Sequence, residues 1–145
     1  MFFAVAITFA LVVTCALIHH EVLRFYHRRL PEMQWLPPNM KVLAAVGGAL
    51  CSHVLQITVF GGAYFFLADD QFLGHLSGQF EDSFINYLYF SAETYTSLGL
   101  GDVYPLGWLR MLAGMEALTG LLMISWTASY TYLEMSRYWP REKGE

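Results

Sequence analysis

Tyr89-Phe90-Ser91-Ala92-Glu93-Thr94-Tyr95-Thr96-Ser97-Leu98-Gly99-Leu100-Gly101-Asp102-Val103-Tyr104-Pro105 is the stretch on which the fold turns. It lies in and beyond an apolar run from Phe84 to Thr96. That run is too short to cross a bilayer, whose core takes about 20 apolar residues as helix. A glycine-rich segment follows it at once. Glu93, Thr94, Thr96 and Ser97 place polar side chains at membrane depth, where they need a buried or wet setting. Turns also favour Gly and Asp, but an ordinary turn does not follow a half-length apolar helix. The expected structure is a re-entrant helix and loop. Such backbone is allowed inside a membrane where protein or a water-filled pore surrounds it.

The glycine spacing suggests what the loop does. An ion leaving water must have its hydration oxygens replaced, and rings of backbone carbonyls do this without burying fixed charge. Aiming successive carbonyls at one axis requires unusual backbone angles at alternate residues. Gly99 and Gly101 supply that freedom. Ser97 adds a hydroxyl at the inner end. One chain provides one wall of such a cage, so four copies in a closed cyclic oligomer are implied.

Three full-length apolar runs surround this half-span: Met1 to Ile18, roughly Val42 to Leu67 and roughly Leu106 to Leu133. Charged residues make up 14% of the 145-residue chain, where a soluble domain carries about 25%. With 8 Lys and Arg against 12 Asp and Glu the net charge is -4, which argues against a nucleic-acid partner. The first run has no basic residue before it and no small-residue cleavage site after it. It is expected to be a retained helix rather than a signal peptide. It is expected to continue as an amphipathic surface stretch through Arg24, His27, Arg28 and Arg29, until Pro37-Pro38 breaks the chain.

Basic residues set the orientation. Arg24, Arg28, Arg29 and Lys41 follow the first run, and Arg137, Arg141 and Lys143 follow the third. The segment 68–83 has no Lys or Arg but carries Asp69, Asp70, Glu81 and Asp82. The first loop and the C-terminus are therefore expected in the cytoplasm, with the N-terminus and the acidic segment outside. The half-span then enters from, and returns to, the outer face.

The quoted stretch resembles the pore loop of potassium channels, whose filter reads T-V-G-Y-G-D. It is most similar to bacterial two-helix potassium channels, where the loop reads E-T-A-T-T-V-G-Y-G-D-L-Y-P. The match runs without a gap from Glu93 to Pro105. Arg110 and Gly120 keep the family's ten-residue separation, one residue nearer the proline. The resemblance extends from about Val42 through the third run. It implies an all-α membrane protein with three transmembrane helices, a re-entrant pore helix and a selectivity filter, assembled as a homotetramer. Residues 1–41 would be an N-terminal helix with a basic cytoplasmic loop, and residues 42–145 the pore domain. The implied function is passive potassium conduction across the plasma (inner) membrane, with K+ bound at the carbonyls of Thr96, Ser97, Leu98, Gly99, Leu100 and Gly101. The permeant ion and the lipid bilayer are the implied partners, with no catalytic residue and no cofactor.

Leu100 departs from the family, which places tyrosine there. In relatives the tyrosine hydroxyl ties the filter to surrounding aromatics. Leu100 keeps the carbonyl and loses that bond, so its side chain is expected to pack on aromatics such as Phe90. A weakly selective monovalent cation channel is the alternative to a potassium-selective one.

Glu93 and Asp102 match a carboxylate pair behind the filter in relatives. Two carboxylates that close do not both ionise cheaply. Tyr89 stands where relatives have a tryptophan that bonds the aspartate, and its hydroxyl is expected to take that role. Glu116 is an intramembrane carboxylate and so a functional-site candidate. It is expected either to accept hydrogen bonds from Thr94, Thr96 or Tyr95, or to face the cavity as a cation attractor. Gly120 matches a hinge glycine, with close helix packing as the equal alternative, the role also expected of Gly47, Gly48, Gly61 and Gly114. Helical spacing places Ile124, Ala128 and Tyr132 below it as inner-cavity candidates.

The five histidines and two cysteines form no ligand-spaced set. His20 and His27 are expected to anchor the helix at the interface or sense protons mildly. His53 and Gln56 should satisfy each other or a neighbouring helix, and Cys15 and Cys51 should be packing residues. The rival of another class is a membrane metal or redox protein with histidine ligands, which leaves Ser97–Gly101 unexplained. No run carries regularly spaced arginines, so voltage sensing is not expected.

Overall fold

The computed structural model describes residues 2–68, 73–79 and 81–139. Asp69, Asp70, Arg141 and Lys143, used above for orientation, lie outside them. The described residues form four helices: α1 (Phe2–Glu32), α2 (Pro38–Leu67), α3 (Phe84–Tyr95) and α4 (Leu109–Tyr138). Two three-residue strands, β1 (Leu76–Gly78) and β2 (Val103–Pro105), join them. Helices α1, α2 and α4 are each long and apolar enough to cross a membrane. The 12 residues of α3 rise only about 18 Å at 1.5 Å each, well short of the roughly 30 Å core.

Local sequence explains the boundaries. Pro38 opens α2, where a missing N–H costs nothing because the first turn has no partner for it. Helix α1 continues past Ile18 as an amphipathic helix, with Arg24, His27, Arg28 and Arg29 exposed and its other face buried. Leu23 and Leu30 carry its apolar face onward and are buried against Ala45, Ala49 and Tyr130. A second cluster joins Cys15 to Phe60, Tyr64, Phe90 and Leu112, so α1 packs along both α2 and α4. Gly48 sits under the Tyr26 ring and Gly61 under Leu88, where a Cβ would collide with either. Gly47 and Gly114 have open space, so the close packing expected of them is not found within the chain.

The strand pair is an addition to the all-α expectation. β1 and β2 are antiparallel, with Leu76 opposite Pro105, Ser77 opposite Tyr104 and Gly78 opposite Val103. Gln79 N–H also donates to Asp102 O at 2.8 Å, and Leu106 N–H to His75 O at 2.9 Å. These bonds clasp the segment before α3 to the segment after Gly101, so both ends of the loop are anchored to one ladder. Gly78 is at φ 112° with its Cα against the Asp102 carbonyl, a place with no room for a side chain.

Candidate functional site

Helix α3 ends in the segment that sequence reading singles out, and the ending is a defined cap. Ser97 N–H donates to Thr94 O at 3.0 Å and Leu98 N–H to Glu93 O at 2.8 Å. This is the Schellman pattern, which satisfies the orphan carbonyls of a helix end and requires a left-handed residue at the position of Ser97. Ser97 adopts it, with φ 58°. Gly99 follows at φ 56° and Gly101 at φ 80°. Every second residue from 97 to 101 is therefore left-handed. Sequence reading finds the two glycines and misses Ser97, because serine does not advertise that conformation. The available signal is its place at the C-terminal cap of a short helix.

Residues Thr96 to Gly101 are exposed in the single chain. Leu98 is 64% and Leu100 61% exposed. Leu100 therefore does not pack on Phe90, which is buried against the Tyr64 ring with centroids 5.0 Å apart. Phe90 lies on the side of α3 that faces the bundle.

Behind the loop, Glu93 is buried and its Oε2 accepts from Leu100 N–H at 3.1 Å. Tyr89 Oη donates to Asp102 Oδ2 at 2.9 Å, and Asp102 Oδ1 accepts from Val103 N–H at 3.1 Å. Replacing Glu93 with alanine leaves the Leu100 amide without its acceptor. The expected outcome is an altered current time course or ion preference in bilayer recordings, and unchanged values for both would remove Glu93 from the site.

Glu116 is fully buried. Its donors are not Thr94, Thr96 or Tyr95. Ser91 Oγ donates to Oε1 at 2.5 Å and Tyr64 Oη to Oε2 at 2.7 Å. One carboxyl group thus joins α2, α3 and α4, and both of its oxygens are engaged by protein donors. Thr96 Oγ1 instead donates to Ala92 O at 2.7 Å. Tyr95 Oη donates to Gln56 Oε1 at 2.9 Å.

One turn along α4, a Cβ on Gly120 would overlap the Tyr95 carbonyl. Glycine is needed here for close approach of two backbones, which favours the packing alternative. Gly120→Ala is expected to destabilise the protein by about 1–3 kcal/mol, seen as a lower melting temperature in detergent. A wild-type melt would instead leave the hinge alternative standing. Further down α4, Ile124, Ala128 and Tyr132 are exposed in the single chain, Tyr132 at 68%.

Among the described residues no group of three or more His, Cys, Asp or Glu side chains could hold a metal ion. His27 Nδ1 lies 2.8 Å from buried Glu134 Oε1. His19 and His53 are bonded to hydroxyl and amide groups. Cys15 is buried in the core, but Cys51 is exposed, so only the first has the expected packing role.

A family model described as "Ion channel" matches residues 52–136. Comparison with curated proteins gives no match, and comparison with solved structures gives none.

Proposed function

This chain belongs to an ion-channel family, and from that premise we propose that it is a potassium-channel subunit whose homotetramer conducts K+ through Ser97–Gly101. The observation that carries this is the alternation of left-handed backbone at Ser97, Gly99 and Gly101. Alternation turns the intervening carbonyls toward a common side, as an ion cage needs. The carbonyls of Thr96, Ser97, Leu98, Gly99, Leu100 and Gly101 then replace the hydration oxygens of K+, and no organic cofactor takes part.

Assembly follows from the same geometry. The loop is exposed in the single chain, and its polar backbone requires protein or water around it at membrane depth. Four copies about one axis supply both. In the assembly α3 is re-entrant, Glu93, Asp102, Tyr89 and Glu116 support the filter from behind, and Ile124, Ala128 and Tyr132 line the inner cavity below Gly120. Residues 42–145 form the pore domain, with residues 1–41 as an added helix and basic loop. The multi-pass chain lies in the plasma (inner) membrane with its N-terminus outside and C-terminus in the cytoplasm, an orientation supported by the basic residues.

A weakly selective cation channel is the second reading, and leucine at position 100, which has no hydroxyl to tie the loop to its surroundings, favours it. A side chain without a polar anchor lets the carbonyl ring breathe. Flux from liposomes reconstituted with the protein separates the two readings. A potassium gradient should drive rapid flux and a matched sodium gradient little. Equal flux of both ions selects the second reading, and no flux of either rejects conduction.

A further inference from the structure

The site described above leaves His19 and His53 unused, yet both are woven into a closed circuit around Tyr95. Gln56 Nε2 lies 3.2 Å from His19 Nδ1, and His19 Nε2 lies 3.2 Å from Thr127 Oγ1. Thr127 Oγ1 is 2.9 Å from His53 Nε2, and His53 Nδ1 is 2.9 Å from Tyr95 Oη. Tyr95 Oη closes the circuit on Gln56 Oε1 at 2.9 Å. Five side chains from all four helices take part. His19, Gln56 and Tyr95 are buried to within 1% of complete.

Gln56 Nε2 also lies 3.2 Å from the Ser52 carbonyl, which takes only a donor, and from that end counting protons gives each bond a direction. Tyr95 gives its single hydroxyl proton to Gln56, so it accepts from His53 Nδ1–H. A neutral imidazole with its proton on Nδ1 has an acceptor at Nε2, which takes the Thr127 proton. Thr127, its proton spent, accepts from His19 Nε2–H. His19 Nδ1 is then an acceptor, and Gln56 N–H supplies it, with Ser52 Oγ also 3.2 Å away. All five bonds run the same way round, so each polarises the next. The ring is complete only if every member is present.

We propose that His19 is a positioning residue for ion selection. Resting on the filter reading above, it acts from α1 through Gln56, Thr127 and His53 on Tyr95. Tyr95 directly precedes the Thr96–Ser97 turn, and its carbonyl is the atom against which Gly120 packs. Its hydroxyl is held by two members of this circuit, His53 and Gln56, with the centroid of the His53 ring 5.8 Å from that of Tyr95. Helix α1 lies wholly outside the matched residues 52–136, so the brace comes from a part of the chain outside the family match. Trp126 flanks the His19 ring, with centroids 5.4 Å apart, and fixes its plane. Loss of His19 removes the donor to Thr127 Oγ1 and one of three acceptors around Gln56 Nε2, whose contacts to Ser52 O and Oγ at 3.2 and 3.0 Å remain, and it opens the circuit that holds Tyr95.

The test uses the full chain in liposomes, with amide hydrogen exchange over residues 96–100 and the K+/Na+ permeability ratio as readouts. In His19→Leu, exchange at these amides should rise roughly tenfold, the effect of one buried hydrogen bond lost, and the permeability ratio should fall about two- to thirtyfold. His19→Gln offers one donor and one acceptor in the same place, and should restore both readouts to within about twofold of wild type. Thr127→Val breaks the ring at another point with little change of shape and should reproduce His19→Leu, which keeps the test open if that variant does not assemble. Wild-type exchange in Thr127→Val overturns the proposal. So does faster exchange spread evenly over α2 and α4 with no restoration by His19→Gln, because that is simple loss of packing. Wild-type protein that passes Na+ as readily as K+ refutes the selective-filter reading alone, and the exchange measurement still decides whether His19 positions the segment.

Discussion

Glu116→Ala is expected to abolish assembly of the protein, or to lower its melting temperature so far that little survives purification. Two hydroxyls converge on this carboxyl group, Tyr64 Oη from α2 and Ser91 Oγ from α3, and Glu116 is fully buried on α4. Alanine removes both acceptors at once. A buried donor left unsatisfied costs about 1–3 kcal/mol, so the pair costs about 2–6 kcal/mol before the cavity is counted. Ser91 has a second acceptor in Ile57 O at 2.9 Å, which places its share at the low end. Tyr64 is fully buried and has no such reserve among the described contacts. Total stabilities of about 5–15 kcal/mol leave little margin for this. Glu116→Gln keeps one carbonyl acceptor and should lose much less. The measurement is thermal unfolding in detergent, followed by size-exclusion elution. A Glu116→Ala protein that melts like wild type would remove the carboxyl group from its bracing role, and a large fall in conductance at normal stability would return it to the cavity.

Much of this arrangement is legible in the sequence. Apolar run length places α2 and α4 to within a few residues, and the short apolar run starts α3 at Phe84, where it begins. Chemical type is also legible: a carboxylate in a membrane helix needs donors, and Glu116 has them. Which donors is not. Sequence spacing gives the face a residue occupies but not the axial offset between two packed helices, and a slip of one turn exchanges Tyr95 for Ser91. The same limit hides the strand pair, because Leu76–Gly78 and Val103–Pro105 are too short to show a period-two pattern and meet across the whole of α3 and its loop. The first apolar run ends at Ile18 since polar residues begin at His19, and α1 continues through them. His19 is fully buried in the network, whereas His20 and Glu21 beside it are exposed. Polarity in a membrane protein marks either water or a satisfied interior, and a single sequence does not separate the two.

Ser97 is the clearest case of a backbone role that residue type conceals. Gly99 and Gly101 announce their left-handed angles, but Ser97 takes the same angle under duress. An L-residue in this region is disfavoured by roughly 1–2 kcal/mol, and the two cap bonds from Ser97 N–H and Leu98 N–H to the end of α3 hold it there. The loop therefore begins as the cap of its own helix. Any force that moves the end of α3 changes the first turn of the loop.

Gly99→Ala is expected to reduce potassium flux by roughly a hundredfold or more while leaving the helices in place. Gly99 is at φ 56° with no atom within 4 Å of a built Cβ in the single chain, so the added methyl meets no neighbour there and the penalty is conformational. At about 1–2 kcal/mol per L-residue in this region, the four copies of the proposed tetramer would accumulate about 4–8 kcal/mol against the alternating backbone. The cheapest escape is for residue 99 to flip to negative φ, which in the proposed filter turns a carbonyl off the axis and opens one ring of the cage. Nothing in α1, α2 or α4 depends on that flip, so melting temperature and elution volume should stay near wild type. Flux assays on liposomes and a thermal melt of the same preparation make the comparison. Gly47→Ala is the matched control: Gly47 also has open space but lies inside α2 at an ordinary helical φ, so flux should be unchanged. Equal flux in Gly99→Ala and wild type would show that the left-handed backbone at this position is incidental to conduction, and the carbonyl cage would lose the observation on which it rests.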